Sequence, residues 1–228
     1  LDLSYEYADH ERFIDRGIPT ADGEPVERFE KIVFGDEDQN LQTLTANIMR
    51  ANVSHMLSDT SKLNISVLSS DYEKMYQNLY AAAYDAETNV VTMDGYYDPT
   101  ERENFMMSAN LVSELDFGGM KHTLLVGTEV IDTQNKNTRY DSYWITSGSD
   151  KENFIVTRPL DFSVTNLGVA TAFDFATKLK SRTESDIAVS SFYVQDQIEV
   201  SDKVLLMLGG RIAVSYTHLT LPTSCCGE

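Results

Sequence analysis

From Lys62 the chain sets Leu63, Ile65 and Val67 on one side of an extended segment and Asn64, Ser66 and Leu68 on the other, a period of two that predicts a strand and not a helix. From Phe105 the same alternation puts Phe105, Met107, Ala109, Leu111, Leu115 and Phe117 against Ser108, Asn110 and Glu114. A later segment lines up Tyr193, Gln195, Gln197 and Glu199 opposite Phe192, Val194, Ile198 and Val200. Continued along the chain, the pattern predicts strands at 1–9, 42–57, 62–77, 102–117, 121–135, 184–200 and 203–213. These are about seven, all β, joined in order as an antiparallel meander.

The connections alternate in length. Ser58-Asp59-Thr60-Ser61, Gly118-Gly119 and Ser201-Asp202 read as tight turns, whereas 10–41, 78–101 and 136–183 read as long, polar, Tyr-rich loops on the opposite side. Short turns on one side and long loops on the other are what outer-membrane β-barrels show. In the expected register Leu63, Ile65, Val67, Phe105, Leu111, Leu124 and Val126 face lipid, and Asn64, Ser66, Asn110 and Glu129 face a wet lumen. A slip of one residue would exchange the two sets. Asp196 interrupts the lipid row of its strand, so it is expected near the periplasmic rim or bonded to a neighbouring strand. Seven strands do not close a bacterial barrel, and Leu1 falls in mid-strand with Leu1, Leu3, Tyr5 and Tyr7 alternating against Asp2, Ser4 and Glu6. The expectation is therefore a fragment, which would not insert stably alone because its free edges would leave backbone groups unpaired in lipid.

A formal charge of −18 over 228 residues argues against nucleic-acid binding, which needs clustered Lys and Arg. Both cysteines, Cys225 and Cys226, stand at the C-terminal end, so the body of the chain is built without disulfides. The run Val214-Ser215-Tyr216-Thr217-His218-Leu219-Thr220-Leu221-Pro222-Thr223 resembles a translated sequencing-library adapter. This divides the chain into 1–213, a partial barrel, and 214–228, an adapter-derived tail; the alternative is a natural strand and turn. Such a tail extends the last strand at most by propensity, and Pro222 ends the extension.

Several segments carry a family likeness. Asp15-Arg16-Gly17-Ile18-Pro19-Thr20-Ala21-Asp22-Gly23-Glu24-Pro25-Val26 resembles the external-loop signature of TonB-dependent siderophore receptors. Tyr76-Gln77-Asn78-Leu79-Tyr80, the hairpin from Phe117 to Glu129 and Tyr193-Val194-Gln195-Asp196-Gln197-Ile198-Glu199 are similar in order and spacing. The likeness is nearest to the catecholate type. It implies an incomplete portion of a 22-stranded outer-membrane β-barrel of a Gram-negative cell, with the N-terminal plug and remaining strands absent here. It further implies uptake of a ferric siderophore, contact with outer-membrane lipid, and coupling to TonB through the missing N-terminal region.

A ferric catecholate is a bulky anion with aromatic faces, so its receptor is expected to offer cations and stacking rings. Tyr96 and Tyr97, expected near a loop tip, Arg139, Tyr143 and Trp144, and Arg158 in the longest loop are the ligand-binding candidates; the bland alternative is an aromatic girdle or loop packing. His10, His55, His122 and His218 have no zinc-like spacing, and Asp36-Glu37-Asp38 lacks the calcium-loop pattern, so no metal site or cofactor is expected. No GxSxG, phosphate-binding loop or dinucleotide fingerprint occurs, and an enzyme is not expected. Two other readings are a passive porin or structural outer-membrane barrel and a secreted all-β binding module.

Overall fold

The computed structural model describes residues 1–156, 173–175 and 178–220. Its strands are β1 (Asp2–Phe13), β2 (Thr20–Ala21), β3 (Glu24–Pro25), β4 (Leu41–Ser58), β5 (Ser61–Asp85), β6 (Val90–Phe117), β7 (Met120–Asp141), β8 (Tyr143–Trp144), β9 (Glu152–Ile155), β10 (Phe173–Asp174), β11 (Leu179–Ser201) and β12 (Val204–Thr220). The main sheet runs β1-β4-β5-β6-β7-β11-β12, every pair antiparallel. This is the seven-strand meander that the periodicity predicts. The three tight turns fall where expected, and Gly118 and Gly119 adopt φ of 61° and 79°, the left-handed pair that a two-residue hairpin requires.

The strands are longer than the sequence suggests. The stretch 78–101 is not a loop: β5 and β6 stay paired to Asp85↔Val90, and only Ala86–Asn89 turn. Asp85 accepts from the Glu87 and Thr88 amides and the Thr88 hydroxyl to close that turn. Polarity here marks a hairpin standing in water, and its Tyr, Val and Thr residues still favour extended backbone. Likewise β1 reaches Phe13 and β7 reaches Asp141, shortening the loops expected at 10–41 and 136–183. Two pairings among the described residues are out of sequence, β10 on β8 in a small sheet of its own and β9 on β6. Beyond Tyr96↔Asp141 strand β7 has left β6, and β9 fills the vacated edge through Val90↔Ile155 to Met93↔Glu152. The last strand passes Ala213 and stays in register with β11 to Thr220↔Glu184; Pro222, Cys225 and Cys226 lie outside the described residues.

Register places the expected sets on opposite faces. Leu63, Leu111, Val126 and Val194 form one cross-strand row, and Ile65, Ala109, Thr128 and Phe192 form the next on the same face. Asn64 lies opposite Asn110, and Ser66, Ser108 and Glu129 align on the other face. The apolar face extends from Phe117, Met120 and Val204 up to Tyr5, Met49 and Phe105. From Phe105 to Phe117 at ~3.3 Å per residue the band is ~40 Å long, or ~28 Å along the normal of a strand tilted by ~45°. That matches a hydrocarbon layer. The next rows of this face carry Asp71 with Glu103 and Glu73 with Glu101, so charge closes the band on the loop side.

Asp196 sits on the apolar face, beside Leu124 and Leu208 in register, and its Oδ2 lies 2.8 Å from Nδ1 of His122 on β7. The neighbouring-strand bond expected for it is present, near the Ser201–Val204 turn. On the polar face Tyr193 donates to Asn110 (2.5 Å) and Arg211 to Glu129 (2.5 Å). Gly127 between them is required: a Cβ there would stand 2.3 Å from the Tyr193 ring.

Above the band, an apolar core of Phe29, Ile32, Phe34, Leu79, Val91, Met93, Trp144 and Phe175 binds the loops to the projecting β5–β6 hairpin. Asn40, fully buried, anchors it. Its side chain donates to the carbonyls of Ile14 (3.0 Å) and Leu79 (2.9 Å) and accepts from the amides of Leu79 (3.0 Å) and Asp36 (3.2 Å). Strand β4 begins at Leu41, so the Asn40 amide continues the ladder on β5 one step beyond the end of its own strand.

Candidate functional site

The projecting hairpin has two faces with different fates. Alternation sends Leu79, Val91 and Met93 into the loop core, and sends Lys74, Tyr76, Asn78 and Tyr80 to the polar face. There, cross-strand pairing brings Asn78 opposite Tyr96, Tyr76 opposite Asp98 and Lys74 opposite Thr100. Strand β7 adds Arg139 and Asn137, and β11 adds Ser181 and Thr183. All of these polar-face side chains but Asn78 and Tyr80, which stand beside it, line an open cavity of about 540 Å³ at the loop end of the wall.

Aromatic rings and cations are interleaved in it. Tyr76 and Tyr96 stack with centroids 5.9 Å apart and planes 20° from parallel, and Tyr80 meets Tyr96 edge-on at 6.2 Å. The Arg139 guanidinium lies 4.4 Å from the Tyr96 ring centre while its Nε donates to Asp98 Oδ1 at 2.7 Å, with Nη2 on the second carboxylate oxygen. Such a fork is fixed in direction as well as charge. From the loop after β1, Arg16 lies 4.9 Å from the Tyr80 ring and donates to Asn78 Oδ1 (3.1 Å) and the Tyr96 hydroxyl (2.8 Å). Burial is the largest single effect and opposes the Arg16 charge, but the hydrogen bonds and electrostatic attraction of Tyr96 and Tyr76 together outweigh it and the guanidinium is held more firmly protonated than usual. Tyr80, on the part of β5 above the apolar band, is pushed up to about 12 by burial and then by the charge of Asp94, whose carboxylate accepts its hydroxyl at 3.2 Å. Tyr80 is thus a neutral ring.

Of the candidates chosen from sequence, Tyr96 and Arg139 meet in this cavity. Tyr96 and Tyr97 lie within β6 and not near a tip, which is at 86–89. Tyr97 points to the opposite face, stacks on Tyr140 at 5.8 Å and packs on the loop core. Trp144 is fully buried in that core against Phe154, while Tyr143 next to it is partly exposed on β8. Arg158 lies outside the described residues. Sequence reasoning missed Lys74, Tyr76, Tyr80, Asp98 and Arg16 as site residues. The i, i+2, i+4 spacing of Tyr76, Asn78 and Tyr80 was the available signal, since it puts all three on the face of Lys74.

No family model matches the chain, and no curated protein matches it. Solved structures do. The chain superposes over 99% of its length on 36% of the ferric-catecholate import receptor Fiu of E. coli K12 in its open form, with a TM-score of 0.70 and 15% identity. It covers 99% of itself and 34% of the siderophore receptor PiuA of Acinetobacter baumannii, at a TM-score of 0.71 and 19% identity. Against FpvA of P. aeruginosa bound to a heterologous pyoverdine the figures are 95%, 28%, 0.72 and 14%. The chain spans about a third of the length of these structures, and its fold is that of a portion of their barrels.

Proposed function

We propose that this chain is part of the outer-membrane wall of a receptor that takes up a ferric siderophore in a Gram-negative cell, and that the Tyr76–Tyr96–Arg139 cavity contributes to capture of the chelate. The observation that carries this reading is the meeting of stacked rings and guanidinium groups at the loop end of a wall whose fold is that of siderophore-receptor barrels. An aromatic iron chelate would lie against the Tyr76 and Tyr96 rings, and its negative charge would be met by the cationic rim. The role assigned to the arrangement is binding. Transport itself is assigned to the complete receptor, coupled to the TonB energy-transducing complex and surrounded by outer-membrane lipid.

The test uses the product of the complete open reading frame in an iron-starved host lacking its own receptors. Uptake of labelled ferric catecholate is expected, to stop when the inner-membrane energy source is collapsed, and to fall about tenfold on Tyr96→Ala, the cost of one stacking contact. Uptake that persists without that energy source would instead establish the passive pore.

A further inference from the structure

Two kinds of cation stand in and beside the cavity, and they differ in how far they are held by the protein. Arg139 is committed: both arms of its fork are on Asp98 and its plane covers Tyr96. Arg16 is committed to Asn78 and Tyr96 from the loop side. Lys74 is different. It is exposed, it lines the cavity, and among the described residues no carboxylate stands within ion-pair distance of it. Its cross-strand neighbours Leu44 and Thr100 are uncharged, as are Asn137 and Thr183 further along the row, with His10 beyond Leu44 at the other end, and the Thr100 hydroxyl is already given to Asn137 at 2.7 Å.

Resting on the receptor reading above, we infer that Lys74 is the specificity-determining cation of this cavity, selecting anionic over neutral iron chelates, and that Arg139 is a positioning residue that fixes Tyr96. An ammonium on a flexible four-carbon stem can follow the charge of chelates of differing outline, whereas the Asp98-bound fork cannot turn without losing both of its bonds. The location makes one charge decisive. The chain carries a net −18, which repels an anion, but charges more than ~10 Å away are screened at moderate salt; of the nearby cations Arg16 is held in place by neutral Asn78 and Tyr96, so the Lys74 ammonium is the one free to move to the ligand.

The experiment measures dissociation constants, by quenching of intrinsic fluorescence, for trianionic iron(III) tris-catecholate and for a neutral iron(III) trihydroxamate of similar radius. The protein is the purified product of the complete open reading frame. Lys74→Gln is expected to lower the anionic-to-neutral affinity ratio about tenfold and to flatten its salt dependence, with Lys74→Arg restoring both. Arg139→Gln is expected to weaken both chelates together, leaving the ratio as it was. If Lys74→Gln leaves the ratio and the salt slope unchanged, or lowers both affinities equally, the assignment to Lys74 is overturned while the receptor reading stands. If the unsubstituted protein binds neither chelate, both are overturned.

Discussion

Removing the Asn40 side chain should release the loops from the β5–β6 hairpin while leaving the sheet intact. Its amide makes four hydrogen bonds, and it is 0% exposed, so no water replaces them. In Asn40→Ala the Leu79 amide and the Ile14 and Leu79 carbonyls lose buried partners. At ~1 kcal/mol for each bond made and ~1–3 kcal/mol for each group left unsatisfied, discounted for relaxation at the half-buried Asp36 amide, the cost is about 3–4 kcal/mol. Because the loss falls on one cooperative unit, it lowers the free energy of local opening and not of the whole sheet. Hydrogen exchange at the Leu79 amide should therefore quicken by about two to three decades, with exchange at Leu111 and Val126 in the band unaltered. Gly35→Ala should act likewise, since its Cβ would stand 2.3 Å from the Asn40 amide nitrogen and displace it. The double variant should be no worse than either single one, because both remove the same clasp. Leu79 protection within about threefold of the unsubstituted protein in Asn40→Ala would refute the clasp.

Other consequences can be checked in the same way. Gly127→Ala should cost about 1–3 kcal/mol in urea unfolding from micelles, since the new methyl meets the Tyr193 ring at 2.3 Å and Asn110 Oδ1 at 2.4 Å; an unchanged midpoint would contradict the close packing on the polar face. His122→Leu should destabilise by leaving Asp196 without its partner on the apolar face, and adding Asp196→Val should recover the loss, so a double variant weaker than the single one would disprove the pairing. Tyr80 has a raised pKa when folded, so its contribution is complete below pH ~10 and is lost as pH rises toward about 12. Alkaline titration should show a late phenol that Tyr80→Phe removes, and a titration curve that Tyr80→Phe leaves unchanged would contradict its burial beside Asp94. For the tail, resequencing with a ligation-based library should replace the codons of Val214–Thr223; recovering them in genomic context would sink the adapter assignment.

The fold was legible wherever lipid imposes a strict choice. Leu63, Leu111 and Val126 had to share a face because a single slip would bury Asn64 and Asn110 in hydrocarbon, and the register confirms it. Gly118-Gly119 was legible because few sequences accept two successive left-handed residues. Above Phe105 the constraint lapses. Water tolerates Asp71, Glu73 and Glu101 on a strand as readily as on a loop, so polarity alone made 78–101 read as a loop although only Ala86–Asn89 turn. The β9 addition was illegible for a related reason, since it depends on where β7 parts from β6 and on nothing in Glu152–Ile155 itself.

The site was harder to see because its chemistry is divided between distant parts of the chain. Arg16 is 62 residues from Asn78 and 80 from Tyr96, its two hydrogen-bond partners. No local spacing announces such a contact; it exists because β1 returns through a loop to the top of β5, and because Asn40 pins that loop to Leu79. Tyr96 and Tyr97 show how alternation then separates neighbours that composition lumps together. One stacks on Tyr76 in the cavity and the other on Tyr140 against the core, so a substitution at Tyr96 tests the proposed ligand capture whereas the same substitution at Tyr97 tests loop packing. The same logic distinguishes the cations. Residue type makes Arg139 the stronger candidate for an anion, yet register delivers Asp98 to it and delivers only uncharged neighbours to Lys74, so the availability of a charge is decided by pairing across strands and not by the side chain that carries it.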